Sequence, residues 1–195
     1  TKLVLANCFD DNGTPSVVPN DYQGQFSLVS SLIAKGHRRI AYLSLNARHV
    51  ATELRVAGFK AALAAADIDF DPSLLVPAEV DDAGDDAGVQ LLWDAIDRVL
   101  NLHEPPTVIC FGNDRMAMRA YGILRSRGVS LPDDLSVAGY DGHRLITDTL
   151  YPTLTSAELP YAAIGVRATE LLLGMISGTA DVPTQPILVG GPVNP

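Results

Sequence analysis

Hydrogen-bonding side chains stand directly after each apolar run of this sequence. Asn7 follows Leu3–Ala6, Asn46 to His49 follow IAYLSL (Ile40–Leu45), and Glu79 to Asp82 follow Leu74–Pro77. Asn113 and Asp114 follow TVICF (Thr107–Phe111), and Asp141 follows LSVAGY (Leu135–Tyr140). None of these groups joins a nucleophile to a base. There is no GxGxxG turn, no GxxxxGK phosphate loop, no GxSxG elbow and no HExxH, so the residues argue against an enzyme and imply no cofactor. The aspartates Asp81, Asp82, Asp85 and Asp86 do not have calcium-loop spacing, and acidic residues are favoured in the first turn of a helix by its dipole; no metal is expected. Cys8 and Cys110 lie far apart without ligand spacing and read as reduced thiols.

Taken singly, several of these residues have structural explanations. Asp114 suits the cap of a following helix, and His37, Arg38 and Arg39 complement the negative pole of a preceding one. Asp141 before Gly142 suits a turn. Arg55 lies in an otherwise apolar helical stretch, where an arginine either snorkels to solvent or points into a polar cleft.

The elements that position these residues alternate. Leu3–Ala6 reads as a strand, 21–35 as a helix stopped by Gly36, and Ile40–Leu45 as a buried strand. A helix over 53–66, a short strand at 74–77 and a helix over 88–100 follow. Then come a strand at 107–111, a helix over 114–127 closed by Gly128, and a strand at 135–140. A helix over 160–176 ends at Gly178, and 187–189 is extended. Strands alternating with helices through short connections predict parallel sheets flanked by helices, an α/β fold whose ligands gather at the carboxyl ends of the strands.

The 195 residues carry 14 Lys and Arg against 23 Asp and Glu, a net charge of −9, with 47% hydrophobic residues. An acidic chain does not grip polyphosphate through its own surface, so these residues are not expected to contact nucleic acid. No apolar run reaches the roughly 18 residues that span a bilayer, and the first residues have no export-signal pattern, which predicts a cytoplasmic protein without membrane contact.

Four segments together resemble the effector-binding core of the LacI/GalR transcription regulators. They are GHRRIAYLSL (Gly36–Leu45), LRVAGFKAAL (Leu54–Leu63), TVICFGNDRMAMRAYGILRSRGVSLPDDLSVAGYDG (Thr107–Gly142) and YPTLTSAELPYAAIG (Tyr151–Gly165). The resemblance implies a periplasmic-binding-protein-like fold of two lobes that the chain crosses between three times. It assigns 1–19 and 159–182 to a partial N-terminal lobe, and 20–158 and 183–195 to a complete C-terminal lobe. The helix-turn-helix that reads DNA in this family would lie upstream of Thr1.

Carried over by position, the ligand-binding residues are Arg55, Asn113 and Asp141, with Asn7, His49 and Tyr161 matching more loosely. Such types suit a sugar or related polyol: an Arg fork and a carboxylate each engage neighbouring hydroxyls, and Asn donates and accepts at once. The resemblance therefore implies a small-molecule effector, an upstream DNA-binding domain and a homodimer. Its contacts would involve the helices over 88–100 and 114–127 and the stretch around Leu150 and Tyr151. There are three departures from the family pattern: Pro19 and Asn20 stand where Asp-Asn is common, Gln25 replaces a glycine, and Ala83 stands where an aromatic commonly stacks on the effector. A periplasmic sugar-binding protein of a transporter is the alternative, with an export signal upstream in place of the helix-turn-helix.

Overall fold

The computed structural model describes residues 2–45, 50–78 and 86–194. His49, Ala83 and most of the acidic run 81–86 lie outside the described residues. In chain order the elements are β1 (Leu5–Ala6), β2 (Ser16–Pro19), α1 (Asp21–Ala34), β3 (Ile40–Ser44), α2 (Val50–Ala65), β4 (Leu75–Pro77), α3 (Asp86–Leu100) and β5 (Val108–Phe111). They continue as α4 (Asp114–Ser126), β6 (Ser136–Asp141), α5 (Arg144–Thr147), β7 (Thr155–Glu158), α6 (Tyr161–Ser177), β8 (Ile187–Val189) and β9 (Val193–Asn194).

The chain divides into a smaller unit, residues 1–20 with 159–191, and a larger one, residues 21–158 with 192–195. This corrects the assignment of 183–191 to the C-terminal lobe. β8 pairs in parallel with β2, from Val17 beside Ile187 to Pro19 beside Val189, and so belongs to the smaller unit's sheet.

In the larger unit six strands lie in the order β4-β3-β5-β6-β7-β9. All pair in parallel except β9, which runs antiparallel to β7. Every residue of β3 and of β5 is buried, the signature of strands covered on both faces. The pleat sorts their side chains. Ala41, Leu43, Ile109 and Phe111 join one cluster with Leu92, Ile96 and Val99 of α3 and Ala117, Ala120 and Leu124 of α4. Tyr42 points the other way and meets Phe59 of α2, with ring centroids 5.4 Å apart.

Two glycines allow the close packing of α1, one against α2 and one against the sheet. A Cβ at Gly58 would stand 2.2 Å from the backbone oxygen of Tyr22, and one at Gly24 would stand 2.2 Å from the hydroxyl of Tyr140. Any larger residue would force α1 away from α2 or from the sheet. This packing brings Asp21 and Arg55, on different helices, to Tyr140 of β6.

The smaller unit has a parallel sheet in the order β1-β2-β8. Ile164, Ala168, Leu171 and Met175 recur at helical spacing along α6 and bury against Val17, with Val4, Ile187 and Val189 at the margin.

Candidate functional site

Arg55 is the centre of a polar cluster inside the larger unit, only 5% exposed. Its Nε donates to Asp21 Oδ1 at 2.7 Å and its Nη1 to the carbonyl of Gly112 at 2.9 Å. The guanidinium carbon lies 3.8 Å from the centroid of the Tyr140 ring, a cation–π contact. Of the two sequence readings of Arg55, snorkelling is thus excluded. Burial disfavours its charge, but Asp21 and the phenols of Tyr140 and Tyr42 outweigh that and raise its pKa above the ordinary value. Tyr140 itself is pushed upward by burial, against the pull of Arg55.

The residues after β5 divide two tasks. Asn113, 7% exposed, caps α4 by accepting from the backbone N–H of Met116 at 2.8 Å. The cap that sequence reasoning offered to Asp114 is therefore taken by its neighbour. Asp114 is fully buried and accepts from Ser156 Oγ and from the backbone N–H of His143, each at 2.7 Å. Burial raises its pKa, partly offset by those donors. Gly139 is required here, because a Cβ would stand 2.2 Å from Asp114 Oδ1.

Asp141 ends β6 with φ of 120°, a left-handed conformation rare for a residue with a side chain. Burial pushes its carboxyl up to about 7; Asp114 and Asp21 add to the rise, while Arg55 and Arg115 oppose it. The next residue, Gly142, donates its N–H to Ser156 Oγ at 3.1 Å.

Of the sequence-derived candidates, Arg55, Asn113 and Asp141 gather at the carboxyl ends of β5 and β6. Arg55 bonds the carbonyl beside Asn113, and its charge acts on Asp141. Asn7 and Tyr161 are in the smaller unit. Asn7 is exposed with φ of 62°, its N–H donating to Val17 at 2.9 Å, and Tyr161 opens α6 at 55% exposure. His49 lies outside the described residues. Sequence reasoning missed Asp21, Tyr140 and Ser156. Asp21 looks like an ordinary acidic helix start and Tyr140 like one more apolar strand residue; only the bare Arg55 signalled that partners exist.

The cluster offers an acceptor-rich carboxyl end on a rigid support, suited to hydrogen bonding with hydroxyls. No group of three or more potential metal ligands occurs among the described residues. No helix among them is long and apolar enough to cross a membrane.

The family described as periplasmic binding protein-like domain matches residues 29–194. The HTH-type transcriptional repressor PurR of Vibrio atlanticus is 31% identical over 175 residues, covering 90% of this chain and 50% of that protein. The sucrose operon repressor of Escherichia coli is 33% identical over 200 residues, covering 96% of this chain and 56% of the repressor. The chain therefore spans about half the length of the curated relatives it matches. Among solved structures, a LacI-family putative transcriptional regulator protein from Rhizobium etli superposes with a TM-score of 0.82 at 31% identity, over 92% of this chain and 63% of that one. The chain belongs to the periplasmic binding protein-like domain family, and the proteins it is similar to are transcriptional repressors and a LacI-family regulator.

Proposed function

We propose that this chain is the small-molecule-sensing core of a cytoplasmic, ligand-responsive transcription regulator, and that Arg55, Asn113 and Asp141 contribute to its effector site. The observation that carries this reading is the polar cluster at the carboxyl ends of β5 and β6, built around the buried Arg55. Its chemistry suits a polyol, and one relative is named for a sucrose operon. Asn7, Tyr161 and His49 are proposed as further contacts. DNA would be bound by a helix-turn-helix outside these residues, and effector binding would change its presentation in a homodimer. Exposed apolar side chains favour a dimer contact near α4: Met118 is 43% exposed, Leu145 78% and Tyr151 85%.

The test uses the full gene product. Its affinity for DNA from its own promoter is measured by fluorescence anisotropy, with and without a panel of sugars, polyols and nucleobases. A compound that changes the DNA affinity supports the reading. Sugar binding without any DNA binding would overturn it in favour of a transport protein. Arg55→Ala is a poor probe of the site alone, because it strands the buried Asp21 carboxylate.

A further inference from the structure

At the opposite end of the larger unit's sheet, where β6 and β7 begin, lies a cavity of about 220 Å³. Lys35 and His37 line one side of it, from the end of α1 and the turn that follows. Ser136, Thr153 and Thr155 supply hydroxyls, and Leu131, Pro132 and Val137 form an apolar wall. None of the described residues lining it is acidic, although the whole chain carries a net charge of −9.

The polar groups are held in place by the fold. His37 Nδ1 lies 2.9 Å from Thr107 Oγ1, and the hydroxyl of Tyr121 donates to the carbonyl of Pro152 at 3.0 Å. Burial, and then the ammonium of Lys35, hold His37 below its ordinary pKa. A neighbouring cavity shows the contrast. It is lined by Arg38 and Arg39 but also by Asp69 and Asp71, and Arg39 pairs with Asp71 at 3.0 Å, so it supplies its own counterion.

We propose that the Lys35–His37 cavity is a second ligand site, for a small organic anion whose carboxylate or phosphate head meets Lys35, His37 and the hydroxyls while a short apolar body lies on Leu131, Pro132 and Val137. The volume is below the roughly 300 Å³ at which pockets for drug-sized ligands begin, which sets the ligand at about ten heavy atoms. The site is separate from the cluster around Arg55 and does not depend on the function proposed for it.

The full gene product is titrated with benzoate, with phenyl phosphate and with neutral benzyl alcohol, and binding is read by calorimetry. Saturable binding of at least one anion, and none of benzyl alcohol, is expected. Lys35→Ala weakens it by about tenfold, the value of one charge-assisted hydrogen bond. Thr153→Glu, at an exposed position on the cavity mouth, abolishes it by repulsion without disturbing the core. Arg38→Ala, which removes a nearby cation outside this cavity, leaves it unchanged. Which anion binds tells a carboxylate site from a phosphate site. Absence of binding by both anions, insensitivity to Thr153→Glu, or an equal loss in Arg38→Ala would overturn the proposal.

Discussion

Two arginines in the larger unit each pair with an aspartate and lie over an aromatic ring, in opposite surroundings. Arg55 pairs through Nε with Asp21 and lies over Tyr140; Arg127 pairs through Nε with Asp97 at 2.9 Å and lies over Trp93, 4.4 Å from the ring. The side chains of the first pair are 6% and 7% exposed, those of the second 37% and 39%. The same kind of ion pair therefore has a different energetic meaning in the two places. In the interior each charge depends on the other, because neither has water to fall back on; at the surface either can be lost to solvent.

The largest effect should follow from Arg55→Ala. It leaves the Asp21 carboxylate buried without its partner, and urea denaturation should show a loss of about 3–5 kcal/mol. Equal stability of variant and parent would remove the distinction between the two pairs. The carboxylates on the two sides should also differ in sign with pH. Asp141 has a folded pKa raised from 3.8 to about 7, so the folded state keeps a proton that the unfolded chain has released. Its contribution to stability is fully present below pH 3.8 and is lost as pH rises to about 7. Asp141→Asn should flatten that slope and raise stability at pH 8 by on the order of 4 kcal/mol, since about three pKa units are each worth about 1.4. Asn also tolerates the left-handed backbone. Asp97, lowered by its hydrogen bond to Arg127, acts in the other direction and loses its contribution as the pH falls below the ordinary carboxylate range.

A smaller gain tests the same interior. Gln25 is fully buried on α1, and neither atom of its amide has a hydrogen-bond partner among the described residues. Gln25→Met keeps the length and removes the unsatisfied groups, which should raise stability by about 1 kcal/mol, seen as a higher thermal midpoint. Arg127→Ala is the smallest: its unfolding curve should coincide with the parent's at moderate salt, and a clear shift would mean that the surface pair carries more than its exposure implies.

The long helices and the buried strands of this fold are legible in the sequence, because helical spacing, glycine stops and runs such as TVICF each have a local cause. β2, α5, β7 and β9 are not. β2 follows a turn-rich run and ends in Pro19, β7 reads Thr155-Ser156-Ala157-Glu158 with little apolar signal, and both become strands through their partners. The candidate site divides the same way. Arg55 announces itself as a charge in an apolar helix, whereas Asp21 and Ser156 are ordinary in their local context and meet Arg55 and Asp114 only across 34 and 42 residues of sequence. Asn113 and Asp114 show how fine the distinction is: both suit a cap, and the three-dimensional neighbours decide which one serves.

The bond from Gly142 to Ser156 has a bearing on how the protein ages. Among aspartyl dipeptides, aspartate followed by glycine is the one most prone to close into a succinimide, by attack of the glycine nitrogen on the side-chain carboxyl with loss of water. In the fold that nitrogen is engaged with Ser156 Oγ at 3.1 Å, and Asp141 is fixed at the end of a strand. Isomerised aspartate at position 141 would therefore accumulate only through local opening, and its amount in an old sample would record how long that corner of the molecule had spent unfolded.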